Sequence, residues 1–298
     1  MTRNVPTRAT YLMCAPDHFS VRYRINPWMR PKDWAERERD LVPSAHAGWQ
    51  RLSRTLESLG AQVIVMPPQP DLPDLVFTAN AAVVLDGIAL MARFRHPERS
   101  AEEPHYKAFF ERLKTQGYIH EIRELPAGLC LEGAGDCIWD PVRQMFWVGY
   151  GQRSDRHAAE AVAEVFGQPA VSLQLRDPRY YHLDTCLCPL ESGHVLYVPE
   201  AFTAPALQEL FARVPEDMRI RVPRQDAEQL AANAVAFDRH IVLSHCGPKL
   251  RAELEAAGHT VHEVRIPEFA MSGGSACCLT LRLDRRSHSE PEQLRQAR

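Results

Sequence analysis

The feature that most restricts how this chain can fold is a repeat. Four stretches each join two apolar runs through turn residues: VFTANAAVVLDGIALMARF, GDCIWDPVRQMFWVGY, CLCPLESGHVLYVP and AVAFDRHIVLSH. That pattern is the signature of a β-hairpin. The turns fall near Asp86, Asp140, Glu191 and Asp238, so successive hairpins are 54, 51 and 47 residues apart. After each comes a stretch with apolar residues spaced at threes and fours, predicting helices over 104–117, 156–167, 204–214 and 248–258, with another over 44–60. Gly60, Gly117, Gly167 and Gly258 close four of these five as C-cap residues. A short strand-like run follows every helix: AQVIVMP, YIHEIREL, QPAVSLQL, MRIRVP and HTVHEVRI.

The fifth hairpin is split between the ends of the chain, with one strand in TYLMCA and the other in ACCLTLRL. Five ββαβ units whose ring is closed by the N- and C-terminal strands predict an α/β fold of the five-bladed propeller type. A doubly wound open sheet alternates single strands with helices, an order this chain does not follow.

At 298 residues, 45% hydrophobic and 24% charged, the chain has ample material for a core. We expect one domain over 1–283, followed by a polar tail, DRRSHSEPEQLRQAR (284–298), that is disordered. The segment RINPWMRPKDWAER (24–37) fits no unit and is expected to be a loop or lid over the mouth of the ring. A net charge of −3 gives no reason to expect nucleic acid as partner, and no run has transmembrane length or the form of a signal peptide. These observations favour a cytoplasmic protein with a small-molecule partner and no membrane partner. A homo-oligomer is compatible with the helical outer faces. Eight cysteines without regular spacing, and no CxxC, suggest free thiols and no metal site.

Four stretches carry residues capable of chemistry. In SGGSACCLTLR (272–282), Cys277 and Cys278 follow a Gly-Gly turn. On a strand only one of them can face the centre of the ring, and either could equally be a small core residue. In RYYHLDTCLCPL (179–190), His182 and Asp184 share a strand face, as a general acid/base and a carboxylate partner would. Glu132 and Asp136 flank glycines in LCLEGAGDCIWD, and Asp74 precedes Asn80 in PDLVFTANAAVV; by themselves both pairs read as turn residues. Every one of these stretches lies where the first hairpin strand of its unit begins. Pseudo-fivefold symmetry therefore aims them at one axial site.

This constellation resembles the guanidino-group-modifying superfamily of arginine deiminases, dimethylarginine dimethylaminohydrolases and amidinotransferases. The motifs are EG-x-GD around Glu132, HLDT at 182–185 and GG-x-x-C ending at Cys277. The resemblance implies a five-bladed α/β propeller and a cofactor-free reaction. Cys277 would be the nucleophile, with His182, Asp184 and Glu132 as its catalytic partners. It further implies that Asp74 binds the α-amino group of the substrate, that Arg99 is a substrate-loop arginine, and that Arg156 in GQRSDR holds the α-carboxylate. Cys278 is left as a core residue. Asn80 departs from the aspartate of the deiminases, and within FTANA it looks like the arginine dihydrolases, which take arginine through citrulline to ornithine. A neutral amide there both donates and accepts, so it suits a ureido group as well as a guanidinium. The implied activity is hydrolysis of arginine through an S-alkylthiouronium intermediate. The alternatives are a citrulline-forming hydrolase of arginine or dimethylarginine, an amidinotransferase, or a non-catalytic arginine-binding propeller.

Overall fold

The computed structural model describes residues 8–287. Within them lie five separate three-stranded sheets, and each is one of the repeats read above. In four of them a contiguous antiparallel hairpin is joined by a parallel third strand that arrives after a helix. Ala82–Leu85, Ile88–Met91 and Glu121–Arg123 form the first. Its hairpin closes through Asp86 and Gly87, both at positive φ, the two-residue turn whose twist matches that of paired strands. Cys137–Asp140, Met145–Tyr150 and Ala170–Gln174 form the second. The third is Leu187–Pro189, Val195–Tyr197 and Arg219–Arg221, and the fourth is Val235–Phe237, His240–Leu243 and Thr260–Glu263.

The fifth sheet draws its strands from both ends of the chain. Thr10–Cys14 pairs antiparallel with Leu281–Arg282, Tyr11 facing Arg282, and parallel with Gln62–Met66. The connecting helices are Glu103–Gln116, Ala158–Phe166, Ala204–Arg213 and Pro248–Ala256, within a few residues of the spans their spacing predicts. Gly117 and Gly167 end two of them in the left-handed conformation that glycine adopts without strain. Among the described residues no helix is long and apolar enough to cross a membrane.

Two boundaries differ from expectation. The helix expected at 44–60 runs over Pro31–Ser58. Pro31 occupies its first turn, where the missing N–H costs nothing, and Trp34, Leu41, Ala45, Leu52 and Leu56 carry its buried stripe past Pro43. The segment 24–37 is therefore loop only as far as Arg30. At the other end, packing continues beyond 283. The Thr10 N–H donates to Asp284 Oδ1 (2.8 Å), and the Ser287 N–H donates to Asp86 Oδ1 (2.9 Å). Order thus extends four residues into the stretch expected to be disordered; 288–298 lies outside the described residues.

Candidate active site

Short 3-10 turns lead into the first strands of three sheets, at Thr78–Asn80, Gly133–Gly135 and Leu183–Thr185. These turns, with the loops before them, hold Asn80, Glu132, His182 and Asp184. All four are buried. A buried polar group costs several kcal/mol at most and about 1–3 kcal/mol in proteins unless it is hydrogen-bonded, so their partners define the site.

Glu132 Oε2 is 2.7 Å from His182 Nε2 and accepts from Arg153 Nη1 at 2.8 Å, while Oε1 accepts from the Arg95 N–H at 3.1 Å. Burial alone would raise this carboxyl. The Arg153 charge and the His182 hydrogen bond outweigh it and hold Glu132 well below its ordinary range. An ionised Glu132 takes the proton of His182 Nε2, which leaves Nδ1 carrying the lone pair. Nδ1 is buried and has no partner among the described residues. Burial pulls the His182 pKa down to about 4, against the upward pull of Glu132. The imidazole is a neutral base whose free nitrogen lies against Gly135. A Cβ on Gly135 would stand 3.2 Å from that nitrogen and 2.3 Å from Asn80 Nδ2.

The cysteine pair does not lie on a strand. The Leu279 N–H bonds the Ser275 carbonyl (3.2 Å) and the Thr280 N–H bonds that of Cys277 (2.9 Å), so 275–280 is a helical turn and the strand starts only at Leu281. This turn sends the two thiols in directions opposite to those expected. Cys278 Sγ donates to Asp184 Oδ2 at 3.1 Å and accepts from Asn233 Nδ2 at 3.1 Å. Cys277, expected at the axis beside Asp184, opens instead onto a cavity lined by Tyr11, Val83, Ile138, Ala236 and Arg285. Asp184 Oδ1 has no partner, and burial raises this carboxyl to about 7. Burial and the Asp184 charge push the Cys278 thiol well above its ordinary range.

Asn233 is the residue that sequence reasoning missed. Its Oδ1 accepts from the Cys278 N–H (3.1 Å), its Nδ2 also donates to the Asp184 carbonyl (3.1 Å), and its carbonyl accepts from the Cys277 N–H (3.3 Å). The signal was present: AANAVAF at 231–237 repeats the TANAAVV of 78–84 at the same place in its unit.

Asp74 accepts from Tyr23 Oη (2.7 Å) and Ser272 Oγ (3.0 Å). Arg99 is buried, forks onto both Glu102 oxygens (2.8 and 2.7 Å) and donates to Asn80 Oδ1 at 2.7 Å. It thereby fixes the amide of Asn80 with Nδ2 toward Gly135, where Nδ2 also donates to the Glu132 carbonyl at 3.3 Å. Arg156, expected to hold a carboxylate, is exposed. The arginine of GQRSDR that enters the site is Arg153, which lies over the Tyr181 ring and donates to the Ile25 carbonyl. Asn26 and Trp28 of the same loop bond the carbonyls of Ser272 and Arg179, so residues 23–28 lie across the site. No group of three or more His, Cys, Asp or Glu among the described residues is placed to hold a metal.

Comparison with known proteins follows this geometry. The chain matches the family model described as N,N dimethylarginine dimethylhydrolase, eukaryotic, over residues 15–285. It is 40% identical over 272 residues to the bifunctional arginine dihydrolase/ornithine cyclodeaminase ArgZ of Synechocystis sp., covering 91% of this chain and 37% of that protein. It thus spans well under half of that relative. It is 37% identical over 284 residues to the N(G),N(G)-dimethylarginine dimethylaminohydrolase of Mycobacterium tuberculosis, covering 94% of this chain and 88% of that one. Among solved structures, the N-terminal domain of ArgZ as a cysteine-to-serine mutant bound to substrate matches with a TM-score of 0.86 and 40% identity, over 94% of this chain and 100% of that domain. An asparagine-to-serine form of that domain, covalently bound to a reaction intermediate, matches with the same TM-score at 39% identity, again over 94% and 100%. The chain belongs to the dimethylarginine dimethylaminohydrolase family, within the guanidino-group-modifying superfamily.

Proposed function

We propose that this chain hydrolyses arginine in the manner of an arginine dihydrolase, with Cys278 as nucleophile. The observation that carries the reading is the hydrogen bond of Cys278 to Asp184, two residues from a neutral His182 whose free nitrogen borders Gly135 together with the amide of Asn80. We further propose that the five sheets are the blades of one ring in a single catalytic domain. Supporting this, residues from the first strands of the first, second, fourth and fifth sheets wall one cavity behind the site.

In this mechanism a guanidinium enters with its N–H groups toward Asp184 Oδ1, and its charge offsets that of the carboxylate. The Cys278 proton passes to His182 Nδ1, and the thiolate attacks the guanidinium carbon. His182, now protonated and stabilised by Glu132, gives that proton to the departing nitrogen, and ammonia leaves. The amidino carbon remains on sulfur as an S-alkylthiouronium. His182 then takes a proton from water as it attacks, and collapse expels the Cys278 thiolate and citrulline. A second hydrolysis of the ureido group releases ornithine, ammonia and carbon dioxide. Asn80 suits both rounds, because its Nδ2 can donate to a ureido oxygen where a carboxylate could not. Asp74 and Arg153 are the groups we assign to the α-amino and α-carboxylate ends, for charge-assisted pairing. Arg99 acts through Asn80.

The family model and the mycobacterial relative favour a second reading, release of dimethylamine from dimethylarginine. Incubation with arginine, citrulline and dimethylarginine separates the two. Ornithine from citrulline is the expected result; dimethylamine with no ornithine from any substrate would replace our reading with the second.

A further inference from the structure

Cys277 is left over by the mechanism, and its surroundings have a chemistry of their own. It borders a cavity of about 80 Å³ on the side of the 275–280 turn away from Asp184 and His182. At about 30 Å³ for a water's share of liquid volume, that is room for about two or three water-sized groups. Much of the wall is apolar, from Val83, Ile138 and Ala236, yet it also carries the Tyr11 phenol, the Trp139 indole and the Arg285 side chain, each able to donate. Tyr11 is 3% exposed and its phenol oxygen has no partner. Trp139, also 3% exposed, has an indole N–H with no partner. The Arg285 side chain borders the same space, and among the described residues no carboxylate pairs with it. Arg282, beside it, is neutralised by Glu191 and Asp284, neither of which lines the cavity.

A buried O–H and a buried N–H left unbonded cost about 1–3 kcal/mol each, and the half-buried Arg285 adds a positive charge beside them. One acceptor with negative charge would satisfy all three. We propose that this cavity is a binding site for a small oxyanion of the carboxylate class, the size of acetate or bicarbonate. It would be held by Arg285, Tyr11 and Trp139, with Cys277 at its edge. The site is independent of which guanidino compound the enzyme hydrolyses. Because Cys277 and Cys278 share one turn, an anion bound there lies directly behind the nucleophile.

The thiol provides the test. Iodoacetate carries the proposed anion and iodoacetamide is its neutral counterpart; both alkylate sulfur with loss of iodide. Peptide mapping by mass spectrometry would give the labelling rate at Cys277 for each reagent, in the whole chain. We expect iodoacetate to be favoured at Cys277, against its usual disadvantage, by on the order of tenfold, the worth of one charge-assisted hydrogen bond. Sodium acetate and sodium bicarbonate should each slow that labelling, whereas equal sodium chloride should not. Arg285→Gln and Tyr11→Phe should remove the preference for iodoacetate. Equal rates for the two reagents, no protection by acetate or bicarbonate, or no labelling of Cys277 by either reagent would each overturn the proposal. The protection measurement uses the unmodified chain, so it stands even if both variants fail to fold.

Discussion

The thiol of Cys278 and the carboxylate of Asp184 are hydrogen-bonded at 3.1 Å in a fully buried setting, and Cys277, its neighbour in sequence, makes no such contact. Replacing each sulfur by oxygen separates the two. Cys278→Ser should lose arginine hydrolysis by on the order of 10⁴-fold or more, since a serine without a matched base is a poor nucleophile. It should also form no covalent adduct by intact mass spectrometry. Cys277→Ser should stay within about a few-fold of the parent. Equal losses in the two variants would remove the assignment of Cys278.

Asn233 is placed to hold that thiol. It bonds the N–H and the sulfur of Cys278 and the carbonyl of Asp184. Asn233→Ala should lower kcat far more than it raises KM, and should cost about 1–3 kcal/mol of stability by leaving buried groups unpaired. A structural role alone predicts only the second effect. The decisive readout is the pH profile of Cys278 alkylation, which should move in Asn233→Ala and move back in Asn233→Gln if the amide sets the thiol.

Much of this was legible because hairpin turns and helical spacing are local signals. Asp86–Gly87 marks its turn by sequence alone, and the four later helices lie close to their predicted spans. The first turns of Pro31–Ser58 were hidden because RPKDWAERERD offers Trp34 as its single large apolar residue. Asp74, Asn80, Glu132, His182, Asp184 and Arg99 do come together, most of them from the short turns that lead into the first strand of a sheet. The two displaced residues depend on a choice that residue types do not encode. ACCLTLRL has strand-forming composition, but Asn233 caps the N–H groups of both cysteines and a helical turn results, which exchanges the directions of the thiols. In GQRSDR either arginine could be the one turned inward; burial against Glu132 and Tyr181 selects Arg153.

Two titrating groups of the site pull stability in opposite directions. Asp184 has a folded pKa of about 7, above its unfolded value, so between that value and about 7 the native state binds the extra proton and stability falls as pH rises. His182 is lowered to about 4, so between about 4 and its ordinary value the unfolded state binds the extra proton and stability rises with pH. Over the shared window, roughly pH 4 to 6.5, the slopes offset and Tm is nearly flat with respect to these two groups. Asp184→Asn should therefore leave Tm rising with pH there, and His182→Asn should leave it falling. Thermal melts of the three proteins across that window check the signs. The same slope in all three would show that neither group titrates as its burial requires.

In the proposed reaction one amide serves both rounds: Asn80 Oδ1 is held by Arg99, and Nδ2 has a hydrogen left to donate. Asn80→Asp keeps the acceptor for Arg99 but loses the donor and adds a negative charge. Turnover of citrulline to ornithine should fall by on the order of tenfold to a hundredfold, the worth of one buried hydrogen bond and a repelled ureido oxygen. Conversion of arginine to citrulline should fall much less, since a cationic guanidinium is compatible with the carboxylate. Ornithine and citrulline quantified from the same reaction would show the split; a proportional loss of both would mean that Asn80 does not discriminate between the rounds.

Gly135 offers a test of the place where Asn80 and His182 meet the backbone. Its backbone lies outside the positive-φ region, so alanine is tolerated there conformationally. A Cβ would nevertheless stand 2.3 Å from Asn80 Nδ2 and 3.2 Å from His182 Nδ1. Neither side chain can yield freely, because Arg99 pins one and Glu132 the other. Gly135→Ala should therefore cost on the order of a hundredfold in kcat/KM by displacing the groups that meet the reacting carbon. The same overpacking should lower Tm by about a few degrees. Retained activity would place the reacting carbon away from the space between Asn80 and His182, and would move the chemistry to the Asp184 side of the thiol.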